Sequence, residues 1–261
     1  MKPAKLLSTL AALLLLVGGT AEAVTNADGG LVTTFDGGLN PTVLPRDSPA
    51  PVAVHVSGSF RDAAGHPASL PQLQRIVVGI NRGGKLFDRG LAVCRIGQIR
   101  SSREAVARRA CGDAIVGKGH VGVQVRIPSQ LPFTVRANLL AFNGPRRNGH
   151  KLIFAQAYAR NPPGVFILTF RVDRRSGTYG TVLSTTLPAA TRDWAYLTHF
   201  DMTLRRTYTY RDRERSFVSA SCPAPAGFDR VVFPFAEATY SFGDGRQVSL
   251  SEGAVCRVAR D

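Results

Sequence analysis

From residue 51 onward, apolar and polar positions alternate with a period of two. In Gly119 to Ile127, Val121, Val123, Val125 and Ile127 point one way, and His120, Gly122, Gln124 and Arg126 the other. That alternation marks a strand with one face buried. Similar runs occupy 52–58, 73–81, 133–142, 150–159, 165–172, 178–187, 194–210, 215–221, 231–242 and 246–258. Turn signals separate them: Asn143-Gly144-Pro145, Asn161-Pro162-Pro163-Gly164, Arg175-Ser176-Gly177 and Gly243-Asp244-Gly245. One stretch favours helix. Ser101-x-x-Glu104 has the form of a capping box, residues 102–110 are helix formers, and Gly112 stands at a C′ position. The pattern predicts an all-β chain, an antiparallel β-sandwich of about ten strands with one short helix near 102–110.

Two further organisational features stand out. Residues 24–50 read as an extended arm ahead of a single domain over 51–261. There Asp28-Gly29-Gly30-Leu31 recurs as Asp36-Gly37-Gly38-Leu39, and Pro41, Pro45, Pro49 and Pro51 follow. A pair of turns is the expected use of that duplication. A weak internal repeat, 73–126 against 197–258, is suggested by matching offsets. Leu73, Ile76, Val78, Ile80 and Arg82 align with Leu197, Phe200, Met202, Leu204 and Arg206, and each run is followed by a cysteine.

The first 23 residues predict a secretory leader. Lys2 and Lys5 supply a positive start, Leu6 to Val17 a 12-residue apolar stretch, and Ala21-Glu22-Ala23 the small-x-small site for cleavage after Ala23. Twelve apolar residues fall short of the ~20 that span a bilayer. Export makes the cysteines readable as bridges, because disulfides persist outside the cytoplasm. Four cysteines allow three connectivities. Cys94–Cys111 and Cys222–Cys256 are preferred, since nearest neighbours in sequence clip local loops. A metal site would call for C-x-x-C or a His at ligand spacing, and neither is present, so no metal or cofactor is expected.

Composition changes the picture in one respect. The chain has 261 residues with 33 Lys+Arg against 18 Asp+Glu, a formal charge of +15. Loss of the leader removes Lys2, Lys5 and Glu22, which leaves +14. It is too apolar for a disordered basic tail, and its 26 glycines have no collagen period. Only five of the basic residues are Lys, so a strong Arg bias, beside abundant Ala, Gly, Pro and Val, assigns part of the charge to a GC-rich coding sequence.

Several short segments are familiar as a set: Leu44-Pro45-Arg46 before Ala50-Pro51-Val52, Leu91-x-Val93-Cys94-Arg95, Ala141-Phe142-Asn143-Gly144, Ser219-x-Ser221-Cys222-Pro223-x-Pro225, and Ala238-Thr239-Tyr240-x-Phe242. Through them most of residues 40–258 resembles a family of exported bacterial proteins of uncharacterised activity. The resemblance implies secretion and a shared fold, and it carries no catalytic residues.

Enzymatic signatures are sparse. G-x-S-x-G, H-E-x-x-H and the P-loop are absent, and no G-x-G-x-x-G follows a strand in the predicted order. His199 and Asp201 share a strand face and could cooperate, and Glu237 sits inside the run Phe233 to Phe242. If the face of Phe233 and Phe235 is buried, the Glu237 pKa rises; if the face of Ala236, Ala238, Tyr240 and Phe242 is buried, which Thr239 and Ser241 favour, Glu237 is solvated. His199, Asp201 and Glu237 are the candidates for a secreted hydrolase. Most other acids, among them Asp88, Asp113, Asp173, Asp212, Asp229 and Asp244, stand in apparent turns.

The strongest local signal is basic and aromatic. Arg206, Tyr208 and Tyr210 share one parity, and Arg205, Arg211, Arg213 and Arg215 the other. Arg146, Arg147, His150 and Lys151 form a second basic turn, and Arg171, Arg174 and Arg175 a third. Such patches suit single-stranded nucleic acid. In an exported protein, anionic cell-wall or membrane-surface polymers are the expected partners instead, and no nucleic acid is expected. The sequence therefore favours a non-catalytic binding protein over a hydrolase.

Overall fold

A computed structural model describes residues 23–64, 70–100, 103–188 and 194–259. The leader, apart from Ala23, and Ser101 of the capping box lie outside the described residues. Among those described, the strands are β1 (Val24–Asp28), β2 (Leu31–Asn40), β3 (Val43–Leu44), β4 (Ala50–Pro51), β5 (Ala53–Asp62), β6 (Leu73–Ile80) and β7 (Gly84–Leu86). Two short helices follow, α1 (Ile96–Ile99) and α2 (Glu104–Cys111). Then come β8 (Ile115–Val125), β9 (Phe133–Arg147), β10 (His150–Arg160), β11 (Pro163–Arg174), β12 (Thr181–Thr186) and β13 (Ala195–Leu204). The remainder is β14 (Thr207–Tyr210), β15 (Arg213–Ser216), β16 (Val218–Ala220), β17 (Arg230–Phe242) and β18 (Gln247–Val258).

The all-β, antiparallel expectation holds; the arrangement differs in detail. Hydrogen bonds do not divide the strands into the two sheets of a sandwich. Thirteen of them form one sheet, in the order β1-β2-β5-β13-β8-β9-β10-β11-β12-β6-β17-β18-β3, beside a β14-β15 ribbon and a small β4-β16-β7 sheet. Among the described strands only the short β3 pairs in parallel. The large sheet curls until β18 packs against β1 and β2. Arg246, in the β17–β18 turn, donates to the carbonyls of Asp28 and Gly29 across that seam. Curling of this kind follows from the right-handed twist that long strands accumulate. It encloses Leu31, Phe35, Phe60, Phe233, Phe235, Tyr240, Phe242 and Leu250 as the main core.

The duplicated Asp-Gly-Gly-Leu is used in two ways. Gly29 and Gly30, at φ of +52° and +81°, make the β1–β2 turn, as expected. The second copy lies inside β2, because Gly37 leaves room for the Phe235 ring, which would stand 2.9 Å from a Cβ there. The hairpin β1–β2 is thus part of the main sheet. The two segments of the suggested repeat share a leading strand, and then diverge. Cys94 is followed by helices, Cys222 by the hairpin β17–β18.

Both disulfides are the expected pairs, Cys94–Cys111 and Cys222–Cys256. Bridges of this kind persist in an oxidising environment. The short helix expected near 102–110 is α2, Glu104–Cys111, and the one-turn α1 precedes it. Gly112 is right-handed (φ −55°) and leads into a 3-10 turn over Gly112–Ala114, not a left-handed cap. Ile99, Ala107 and Cys111 cover Leu140, Phe142 and Phe154 on the outer face of β9 and β10, which is why β10 is buried on both sides. Gln156 donates to the Ile99 carbonyl at 2.7 Å and pins α1 to that face.

Strand β17 resolves an ambiguity in parity. A register irregularity between Pro234 and Ala236 lets Phe233 and Phe235, then Ala236, Ala238, Tyr240 and Phe242, all face inward. Tyr240 is fully buried, edge-on to Phe60 at 4.9 Å, with its hydroxyl unpartnered. An orphaned buried hydroxyl costs about 1–3 kcal/mol. Tyr240→Phe is therefore expected to raise the thermal midpoint by a few degrees, and a fall in the midpoint would show that the hydroxyl has a partner.

Candidate anionic-ligand cleft

The β9–β10 hairpin carries Arg146, Arg147, His150 and Lys151, and its turn is not the one the sequence suggested. Asn143-Gly144-Pro145 lies within β9. The hairpin turns at Asn148 (φ +50°) and Gly149 (φ +79°), a two-residue Asn-Gly connection suited to strand twist. Asn143 stays in the strand because its side chain is buried and used twice. Its Nδ2 donates to the Ala92 carbonyl at 2.8 Å, and its Oδ1 accepts from Lys151 Nζ at 2.9 Å.

Lys151 anchors the site. It is 6% exposed, and its Nζ lies 3.0 Å from Asp88 Oδ2 and 4.8 Å above the Phe217 ring. Burial holds its pKa below the ordinary lysine value, against the hydrogen bond and charge of Asp88. Burial alone would raise Asp88. The hydrogen bond and charge from Lys151, with Arg146 at 3.3 Å, overcome that and hold the carboxyl low. Beside this pair, Asp173 on β11 receives His150 at 2.5 Å and Arg171 at 2.8 Å. Arg146, His150, Lys151, Asp88, Asp173 and Arg174 line a polar cleft of about 330 Å³. A second cavity, about 20 Å³ and apolar, lies between the main sheet and the β4-β16-β7 sheet.

The Arg/Tyr segment folds as the ribbon β14–β15, which turns at Arg211 and Asp212. Its aromatic side docks on the 87–90 loop. Tyr208 donates to the carbonyls of Phe87 and Arg89, both at 3.1 Å, and Tyr210 packs on Phe87 and over Gly90. Burial, with Asp88 adding, pushes the Tyr208 phenol up to about 12. Arg206 lies 3.5 Å from Asp113, and Arg215 stands over the Phe87 ring. Arg205, Arg211 and Arg213 are exposed. The tyrosines are thus used in docking and do not form an open stacking platform. Asp88 belongs to the loop that carries the ribbon and also lines the cleft. The three basic turns that the sequence showed separately meet around it.

No protein-family profile, curated protein or solved structure matches the chain. Its chemistry therefore has to be read from its own geometry. The familiar short segments are structural joints. Arg46 donates to the carbonyls of Ala224, Pro225 and Phe228, and Cys222 N–H to that of Pro45, which ties the first segment to the fourth. Cys94 N–H donates to the Asn143 carbonyl, which ties the second to the third.

His199 and Asp201 keep a shared face of β13, and the Asp201 charge acts on His199, but their side-chain contacts differ and Glu237 lies on another strand. Asp201 faces His55 Nε2 at 3.5 Å across β5, while His199 Nδ1 contacts Thr198 Oγ1 at 3.3 Å. Burial, with Arg136 nearby, lowers the His199 pKa. Glu237 is on the outer side of β17, where Ser251 Oγ donates to it at 3.4 Å. None of the three lines either cavity. Among the described residues no His, Cys, Asp or Glu group could hold a metal ion.

Sequence reading missed Asp88 and Asp173 as site residues, since both looked like ordinary turn acids. One usable signal was Lys151 itself. In a chain that otherwise prefers Arg, it stands at the head of a strand that is apolar through Ala159 except at Gln156.

Proposed function

We propose that the chain is an exported, non-catalytic β protein, freed of its leader after Ala23, that binds anionic polymers or headgroups of the cell envelope. The observation that supports this reading is the grouping of Arg146, His150, Lys151 and Arg174 in one cleft beside Asp88, whose loop also carries the Arg-rich ribbon through Tyr208. Phosphate and carboxylate groups are the chemistry such a surface recognises, and Arg offers them a bidentate fork. Asp88 and Asp173 offset part of this charge by pairing with Arg146, Lys151, His150 and Arg171, and Arg174 with the exposed arginines of the 205–213 segment keeps the region net positive. The two disulfides fit the same compartment.

The test is binding to purified cell wall and, separately, to anionic and neutral vesicles at low and high salt. Surface electrostatics are screened over ~8 Å at physiological ionic strength and over shorter distances in concentrated salt. Affinity for the anionic target is expected to fall at least about tenfold from 50 to 500 mM salt. Arg205→Gln with Arg211→Gln and Arg213→Gln is expected to weaken binding roughly tenfold or more at low salt, since each basic residue near an anionic surface contributes about 1 kcal/mol. Salt-independent binding, or a triple variant that binds like the parent, would overturn the reading. Cell wall and vesicles separate a polymer target from a lipid one.

A further inference from the structure

Strand β18 presents Val248, Leu250, Glu252, Ala254 and Cys256 to the interior, all of them buried. Glu252 is the one charged member of that row, at 4% exposed, and its Oε2 has no partner. A carboxylate there is costly unless a cation compensates it. Yet the charged group near enough to act on it is another acid, Asp36 of β2, across the seam where the sheet closes. Burial and the Asp36 charge both raise the Glu252 pKa. What favours the charged form is hydrogen bonding from two backbone N–H groups, those of Gly253 and Val24.

Val24 is the first residue of β1 and packs against the main core, while Ala23 before it is exposed. It is also the residue that follows the small-x-small site. We propose that cleavage after Ala23 supplies the missing cation: the new α-ammonium of Val24 forms a buried ion pair with Glu252 that locks β1 and β2 against β18. The inference rests on the leader reading given above. Hydrolysis of the Ala23–Val24 bond by the peptidase consumes one water. It leaves a carboxylate on Ala23 and an amine on Val24, which takes up a proton at neutral pH because α-amino groups titrate near pH ~8. One N–H donor becomes three at the same position, enough to serve the orphaned Oε2 as well. The positive charge then lies beside Glu252 and near Asp36, where two negative charges otherwise face each other. The closed seam thereby becomes a property of the processed chain.

The test has two arms. N-terminal sequencing of the exported protein reports the processing reading by itself. A start other than Val24 removes that reading and the in-vivo lock with it. For the pair, the chain beginning at Val24 is compared with the same chain carrying one extra Ala, each with and without Glu252→Gln. The extra residue is expected to lower Tm by roughly 5 °C or more. Glu252→Gln is expected to lower it similarly and to abolish the effect of the extension. Acylation of the Val24 α-amine by a soluble active ester is expected to run at least about tenfold slower in the folded chain than in an unfolded control. This readout keeps the proposal falsifiable if Glu252→Gln does not fold. A chain that starts at Val24 but shows no coupling between extension and Glu252, or an α-amine that acylates at the unfolded rate, overturns the ion pair and leaves the leader reading standing.

Discussion

Asp88→Ala is expected to destabilise the protein by about 3 kcal/mol, the low end of the range for breaking a buried ion pair. The low end applies because Asp88 retains 19% exposure, whereas Lys151 retains only 6%. The loss comes mainly from Lys151, left as a buried ammonium with Asn143 Oδ1 as its close acceptor. Adding Lys151→Met is expected to recover most of the stability. A methionine of similar length would sit against the Phe217 ring and remove the stranded charge. Denaturant midpoints of the two single variants and the double variant check this. If the double variant loses the sum of the single losses, the pair is not coupled and the anchoring role of Lys151 is wrong.

The same pair makes stability depend on pH in two windows. Asp88 is held below its unfolded value, so its contribution is fully present above pH ~3.9 and is lost as pH falls through the folded pKa. Lys151 is also held below its unfolded value. Between its folded pKa and ~10.4 the unfolded chain holds more protons, so this group makes stability rise with pH there. In Asp88→Ala the acid-side dependence is expected to flatten. Burial then acts on Lys151 without its counter-charge, so the alkaline rise should begin at lower pH.

What the sequence showed plainly was local. Alternation placed the strands, because the pleat puts successive side chains on opposite faces whatever the partner strand is. The cysteine pairs followed from short separations. Sheet order was not legible: β13 lies between β5 and β8, and β6 between β12 and β17, and such pairings depend on partners far along the chain. Parity failed where irregularities intervene. The shift between Pro234 and Ala236 put both candidate faces of β17 inward. The turn after Ala141 was misplaced for a related reason. Gly144-Pro145 reads as a breaker, but the buried bonds of Asn143 hold it in the strand and leave Asn148-Gly149 to reverse the chain. The cleft pairs Asp88 with Lys151 across both helices and all of β8 and β9, a distance in sequence at which no spacing rule operates.

Cys222→Ala with Cys256→Ala is expected to be the most damaging change to the fold as a whole. Closing a 34-residue loop restricts the unfolded chain by nearly 4 kcal/mol in the chain-entropy account, against about 3 for the 17-residue loop of Cys94–Cys111. At 2–4 °C per kcal/mol for a chain of this size, that is a fall in Tm of roughly 8–15 °C. Position adds to length. Cys256 stands in the core row of β18, and Cys222 follows the small sheet, with Arg46 clamping the loop beyond it, so the bridge joins two layers of the main core. Cys94–Cys111 instead closes the helical cover over Leu140, Phe142 and Phe154. Cys94→Ala with Cys111→Ala is accordingly expected to release that cover locally. Amide protons of β9 and β10 around Leu140 and Gln156 should exchange faster, while those of β17 and β18 keep their protection. Equal falls in Tm for the two double variants, with the same exchange pattern, would contradict this division between a bridge for the core and a bridge for its cover.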